Sequence, residues 1–421
     1  MAIETPARIA ILGAGPIGLE AALYARYLGY DVDLYERGSV ADHVRRWGHL
    51  RMFTPFGMNH SPLGLAALKA QDDDWQPPAF DAQLTGREYA ERYLLPLANS
   101  DLLVDGLHQQ TRVVSVGRTG LLKADLHGDL ARGDGDFRLL LESTAEGEHG
   151  RERFASADVV IDTTGTYGCG NWLGAGGIPA VGERAAAAHI EYGLPDVLGH
   201  DRDHFHGRST LLVGDGDSAA ASVAALAALA GQSPDTWVTW VTRRECNEQL
   251  PQPVEPPLDN VLPERQRVAA LANRLAADDA NHVTFYSGTC VEAVAWHADR
   301  DRFAVRLAGK HAGEFEFDRV IANVGYRPDH SLHRELHVAL CAACEAPAGM
   351  AKILADLGAG GTLDPRALLN PEPDFYILGA KSFGRDSRFT IATGLEQVRA
   401  LFTILGDRAD LDLYATMPGL V

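Results

Sequence analysis

The 421-residue chain is short of positive charge, of cysteine and of long apolar runs. Its 38 lysines and arginines face 57 acids, a formal charge of −19. That field repels a polyanion, so no nucleic-acid partner is expected. Five cysteines (Cys169, Cys246, Cys290, Cys341 and Cys344) are an odd number at irregular spacing. They do not read as a secreted disulfide framework. The longest apolar run, Ala219 to Gly231, is too short to cross a bilayer, so no membrane partner is expected. The opening MAIETPARIAILG shows neither a charged n-region nor an apolar h-region. No signal peptide is read there, and the expected location is the cytoplasm. No HExxH helix, nucleophile elbow or Ser/His/Asp arrangement is visible, which argues against a hydrolase. No ligand pair is spaced to complete a zinc knuckle with Cys341 and Cys344, so no metal is expected.

Two segments share one grammar. ARIAILGAGPIGLEAALYARYLGYDVDLYER and STLLVGDGDSAAASVAALAALAGQSPDTWVTWVTRR each read as strand, glycine turn, Ala/Leu-rich helix and strand. That is the βαβ unit of a doubly wound fold, present twice. VVID before Thr163, RVIANVG before Tyr326 and DFYILGA read as further strands, and TGLEQVRALFTIL as a last helix starting near Thr393. The expected fold class is α/β, with two Rossmann-like, doubly wound, three-layer dinucleotide-binding domains. The second dinucleotide-binding domain (169–325) is expected to be inserted in the first, which is made of 1–168 and 326–421. Asp125 to Glu152 reads as a polar hairpin containing the strand DFRLLLES. The proline-rich Pro251 to Pro263 reads as a surface loop.

In the first turn, Gly13 permits the bend, Gly15 lets a phosphate approach the backbone and Gly18 lets helix and strand pack closely. Pro16 opens the helix, whose free N–H groups suit a pyrophosphate. Glu36, followed by Arg37, ends the second strand 18 residues after Gly18, where a carboxylate can accept both ribose hydroxyls. In the second turn Gly214 and Gly216 hold the same places, followed by Ser218, and Ala219 replaces the third glycine. The strand after it ends in Arg243 and Arg244, a pair that suits a 2′-phosphate. NADPH is therefore expected at the second turn and FAD at the first.

This layout resembles the two-dinucleotide-binding-domain flavoproteins, which include disulfide reductases, thioredoxin reductases and flavin-containing monooxygenases. The resemblance implies that Asp162 and Gly165 line the passage between domains beside the cofactors. It also implies that Gly379 to Glu396 reaches the flavin, with the helix at Thr393 aiming its N-terminus at the ring. Reductases of the superfamily usually carry an Asp after the glycine that follows the last strand. Here Gly379, Ala380 and Lys381 stand in that region, and Lys381, Ser382 or Arg385 is a candidate for the ribityl contact.

No cysteine lies between Met1 and Gly168, and Cys169 has no partner nearby in sequence. Both dithiol routes of the superfamily lose support. CAAC, Cys341 to Cys344, lies in a mostly apolar run and reads as buried structural cysteines, with a redox pair as the alternative. The segment RRWGHLRMFTPFGMNHSPLG resembles the flavin-facing loops of N-hydroxylating monooxygenases. By that resemblance Asn59 would protect a C4a-hydroperoxide, and Trp47 and Arg51 would be flavin neighbours. A turn-forming role for Asn59 is the alternative. The expected activity is that of an FAD-dependent, NADPH-using monooxygenase acting on a small organic substrate with molecular oxygen, with a homodimer left open. The alternatives are an NADPH-dependent reductase of a small disulfide or quinone, and a flavin-binding redox sensor.

Overall fold

The computed structural model describes residues 3–247, 252–255, 262–278, 282–356 and 363–417. The chain divides into two compact units, Met1–Cys169 with Arg327–Val421, and Gly170–Tyr326. Most of the expected proline-rich loop at Pro251 to Pro263 lies outside the described residues.

The first unit opens with β1 (Arg8–Leu12), α1 (Pro16–Tyr27) and β2 (Asp31–Tyr35). After α2 (Pro62–Gln71) come β3 (Leu107–His108), β4 (Thr111–Arg118), β5 (Phe137–Ser143), β6 (Glu152–Ala157) and β7 (Val159–Asp162). The second unit then supplies β8 (Ser209–Val213), α3 (Asp217–Ala230), β9 (Trp237–Val241), α4 (Pro263–Ala277), β10 (Val283–Tyr286), β11 (Thr289–His297), β12 (Arg302–Gly309), β13 (Gly313–Phe317) and β14 (Arg319–Ala322). The first unit resumes with α5 (Ala348–Asp356), β15 (Phe375–Ile377) and α6 (Ile391–Leu405).

In the first unit a five-stranded parallel sheet runs β15-β7-β1-β2-β3. Side chains alternate across β1, so its two faces bury different partners. Ile9 and Ile11 join the helical core of α1, α2 and α6. Ala10 and Leu12 join Val116, Phe137, Leu139 and Leu141 of the antiparallel sheet β4-β5-β6. The unit has three layers, but one cover is a small sheet where a doubly wound fold would have helices. Phe137, Leu139 and Leu141 explain it: they alternate with outward residues, so the strand buries one face against the parallel sheet. Each such side chain contributes roughly 1.5–3 kcal/mol through burial. The segment expected as a polar hairpin is thus in part a core strand. Tyr24 of α1 stacks on Phe402 of α6 at 4.8 Å, which joins the two helices beneath the sheet.

The second unit repeats the plan with a parallel sheet β10-β9-β8-β14 and an antiparallel sheet β11-β12-β13. Leu211 and Val213 of β8 meet Phe303, Val305 and Leu307 of β12 in one core.

Candidate cofactor sites

The first glycine turn follows the last residue of β1. Gly13 has φ +98°, which L side chains rarely adopt, and a Cβ there would lie 3.0 Å from the Thr163 carbonyl. Gly18 is required by contact: its Cβ would sit 1.8 Å from the Gly13 carbonyl oxygen. Gly15 is different. A Cβ there would meet nothing within 4 Å, so no packing demands a glycine. The open space lies at the N-terminus of α1, which Gly15 caps without a side-chain hydrogen bond and which Pro16 begins. No acid stands in that first turn. Unmet N–H groups and a positive dipole end therefore face space that a diphosphate would fill.

Glu36 follows β2 and is buried. Its two oxygens accept the N–H groups of Ala14 at 2.9 Å and Gly38 at 2.8 Å. The carboxylate is thereby fixed beside the glycine turn with further lone pairs for ribose hydroxyls. Arg37 is exposed and donates to Nε2 of His43 at 3.0 Å. Burial, helped by Arg37, pushes His43 down to about 4, so its imidazole is neutral and can accept that bond.

Two residues expected at the flavin meet each other. The Lys381 ammonium donates to Asp162 at 2.6 Å and to the Thr164 hydroxyl at 3.1 Å, and both charged groups are fully buried. Asp162 also accepts the N–H and O–H of Thr164 at 3.0 and 2.7 Å. Burial alone would raise the Asp162 carboxyl, but the Lys381 ammonium and the hydrogen bonds from Lys381 and Thr164 hold it below the usual range. Lys381 is thus tied to the end of β7, and Ser382 is tied to Gln397 and Gly379. Gln397 also accepts the Gly379 N–H at 2.8 Å. The reading of sequence missed Gln397, whose only signal is a polar residue on the buried face of α6. Gly165, at φ +68°, has open space around its Cβ position. The last helix starts at Ile391, two residues before the expected Thr393, because the Thr390 hydroxyl accepts the Thr393 N–H at 3.3 Å.

The loop after the first βαβ unit corrects one expectation. Asn59 is buried, and its amide is saturated. Oδ1 accepts the Thr54 hydroxyl at 2.8 Å, and Nδ2 donates to the carbonyls of Thr54 at 3.1 Å and Pro55 at 3.0 Å. A primary amide has two N–H bonds, so none is left to protect a peroxide. Asn59 is the turn-forming residue. Trp47 lies over Gly86, where a Cβ would come within 2.5 Å of the ring, and its indole N–H is buried without a hydrogen-bond partner. Of the three expected flavin neighbours, only Arg51 is exposed, with one N–H donated to the Gln83 carbonyl at 2.6 Å.

The second turn copies the backbone of the first. Gly214 has φ +137°, and a Cβ there would lie 2.1 Å from the Asn323 carbonyl. Gly216 has open space, as Gly15 has. The Cβ of Ala219 rests 3.5 Å from the Gly214 Cβ position, so alanine fits where Gly18 could not. Ser218 is part-exposed in the first turn of α3. The charges differ. Asp217 begins α3 and pairs with Arg265 at 3.0 Å. Arg244 faces Asp215 at 3.7 Å and Glu255 at 3.8 Å, and donates to the Pro253 carbonyl at 2.8 Å. Arg243 is exposed.

Cys341 and Cys344 are part-exposed in a turn before α5, which corrects their reading as buried structural cysteines. The proximity of His330 and His333 was also not read from sequence. Their rings approach at 3.0 Å between Nδ1 and Nε2, and His330 Nε2 donates to the Glu345 carbonyl at 2.9 Å. Burial lowers both pKa values, that of His333 to about 4. With neutral rings, Nε2–H of His333 must be the donor to His330. A surface depression of about 490 Å³ touches Arg8, at the opposite end of β1 from the glycine turn, and takes no part in these sites. Among the described residues, no group of three or more His, Cys, Asp or Glu could hold a metal ion, and no helix is long and apolar enough to cross a membrane.

No protein-family model and no curated protein sequence matches the chain. Solved structures do. The bacillithiol disulfide reductase Bdr from Bacillus cereus superposes with a TM-score of 0.66 at 16% identity, covering 96% of this chain and 99% of that one. The cadaverine monooxygenase DfoA from Erwinia amylovora, bound to FAD, gives 0.65 at 13% identity, covering 99% and 100%. Thioredoxin reductase from Lactococcus lactis gives 0.57 at 15% identity, covering 96% and 98%. The chain has the fold shared by these two-dinucleotide-binding-domain flavoproteins.

Proposed function

We propose that the chain is an FAD-dependent, NADPH-using oxidoreductase acting on a small molecule. The observation that carries this reading is the first glycine turn. Gly15 leaves space that packing does not require, before an uncapped helix start and beside the fixed carboxylate of Glu36. Those residues fit an adenine dinucleotide diphosphate and ribose. Gly216 and the exposed Arg243 fit a second dinucleotide, and Arg243 would be the partner of its 2′-phosphate. FAD, when bound, supplies a two-electron carrier that nicotinamide can reduce. The protein's part is to hold, orient and shield it. The buried Lys381–Asp162 pair fixes the strand ends where the resemblance implies the flavin lies.

Two acceptors are supported, each by its own observation. Oxygen, with a small organic substrate that takes one oxygen atom, is favoured by the likeness to DfoA. The saturated amide of Asn59 removes the donor first assigned to that chemistry. A small disulfide is favoured by the likeness to Bdr, and a quinone is the other acceptor open to such a reductase. The test is NADPH oxidation under air with amines or thioethers, against anaerobic turnover with disulfides and quinones. Substrate-dependent oxygen uptake with a product carrying one added oxygen atom (a hydroxylamine or a sulfoxide) supports the monooxygenase. Anaerobic turnover without it supports the reductase. Negligible turnover in every case would leave the flavin-binding sensor and overturn the enzyme reading.

A further inference from the structure

The CAAC turn carries chemistry that neither glycine turn uses. It is closed at both ends: Cys341 N–H donates to the Ala346 carbonyl at 2.8 Å, and Glu345 N–H donates to the Cys341 carbonyl at 2.9 Å. The two side chains stand on one turn, near enough that each thiol shifts the titration of the other. Between them stand Ala342 and Ala343, exposed and bearing only methyl groups, so no large side chain covers the sulfurs from that side. Beneath the turn the structure is fixed. Arg385 N–H donates to the Cys344 carbonyl at 2.8 Å, and a Cβ at Gly384 would lie 2.0 Å from that same oxygen. The carboxylate of Glu345, next in sequence to Cys344, is held by both arms of Arg385 at 2.9 Å each, which offsets its charge.

The two thiols are not equivalent. Backbone N–H groups of Cys344 and Ala343 face the Cys341 sulfur and lower its pKa. Burial raises that of Cys344. An attacking thiolate beside a protonated partner is the division of labour that thiol–disulfide exchange needs.

We propose that Cys341 and Cys344 form a thiol–disulfide exchange site for low-molecular-weight disulfides, with Cys341 attacking and Cys344 resolving. The Cys341 thiolate attacks one sulfur of RSSR, that S–S bond breaks, and RS⁻ leaves. The Cys344 thiol then gives up its proton and attacks the Cys341 sulfur, displacing the second RS⁻. The two protons of the original thiols end on two RSH. The protein dithiol is oxidised by two electrons and RSSR is reduced by the same two. The exchange itself requires no cofactor, so it stands or falls independently of the flavin reading.

The test uses the full-length protein, reduced with dithiothreitol, desalted, and mixed with 2-hydroxyethyl disulfide. Acid quenching, maleimide labelling and peptide mass mapping follow. The expected result is an internal Cys341–Cys344 disulfide. It should form at least about tenfold faster than any adduct at Cys246, whose thiol burial raises, or at Cys290. In Cys344→Ser a mercaptoethanol adduct should persist on Cys341. In Cys341→Ser, Cys344 should react at least about tenfold more slowly than Cys341 does in the wild type. Unchanged maleimide labelling of both cysteines in the wild type would overturn the proposal. So would a rate no greater than that of Cys246, or an adduct resting on Cys344 with Cys341 silent.

Discussion

The two glycine turns have the same backbone and opposite electrostatics. Both begin with a glycine at positive φ and both leave open space at the second glycine. At the first turn that space faces an uncapped helix with no acid in its first turn, and the nearby carboxylate of Glu36 is held by backbone N–H groups. At the second, Asp215 and Asp217 flank the space, and Arg244 and Arg265 face them. A diphosphate entering the first turn meets no acid in the first turn of the helix. One entering the second meets two acids, each already facing a cation. The difference suits a ligand that stays at the first turn and one that comes and goes at the second.

Substitutions can break this comparison. The largest effect is expected for Gly15→Val: the side chain fits the open space, so the protein folds, but FAD affinity falls at least about a thousandfold, or 4 kcal/mol. Equilibrium titration with FAD reads it, and unchanged affinity would contradict the first turn's role. Gly216→Val should leave FAD binding intact and weaken only NADPH. Next comes Gly18→Ala, whose Cβ would collide with the Gly13 carbonyl. A cost of about 3 kcal/mol is expected, seen as a melting temperature lower by roughly 10 °C. The corresponding Ala219 already carries that Cβ, so an unaffected Gly18→Ala would show that the first turn is no tighter than the second.

Glu20 sharpens the contrast between the helices, since the corresponding position in α3 is Ala221. Burial pushes its carboxyl up to about 7. Ser61 donates to one of its oxygens at 2.8 Å, and the Tyr414 hydroxyl also favours the charged form, but burial outweighs both. Its folded pKa lies above the unfolded one, so the folded chain keeps a proton that the unfolded chain loses between about pH 4.5 and 7. Stability from this group is therefore complete below pH 4.5 and drains away as pH rises to 7. Glu20→Gln should match the wild type near pH 4 and exceed it by up to about 3 kcal/mol above pH 7. Denaturation at the two pH values checks this, and a pH-independent difference would contradict it. The smallest effects are those of the two arginines: Arg243→Ala should raise the KM for NADPH about tenfold and leave that for NADH unchanged. Arg244→Ala should show a weaker split, because Arg244 already faces Asp215 and Glu255.

Much of the fold was legible because it is written locally. Apolar runs, glycine turns and Ala/Leu-rich helices identify β1-α1-β2 and β8-α3-β9 from neighbouring residues alone. Pairings across long separations were not legible. Lys381 and Asp162 are 219 positions apart, and nothing local to either names the other. The small sheets covering each parallel sheet were missed for a related reason. Phe137, Leu139 and Leu141 alternate within a segment whose surrounding glycines and acids dominate the reading. Asn59 shows the limit for sites. The residue type fitted the chemistry expected of it, but whether an amide has a spare donor depends on Thr54 and Pro55, whose carbonyls take both. The CAAC turn erred in the other direction: an apolar context suggested burial, whereas a turn leaves both cysteines partly exposed.

The central claim is that the first glycine turn retains a flavin dinucleotide, and the most direct measurement is the visible spectrum of the purified full-length protein before and after addition of FAD. The account predicts a yellow protein holding one FAD per chain, as isolated or after reconstitution. A colourless protein that takes up no FAD when it is supplied in excess would contradict it.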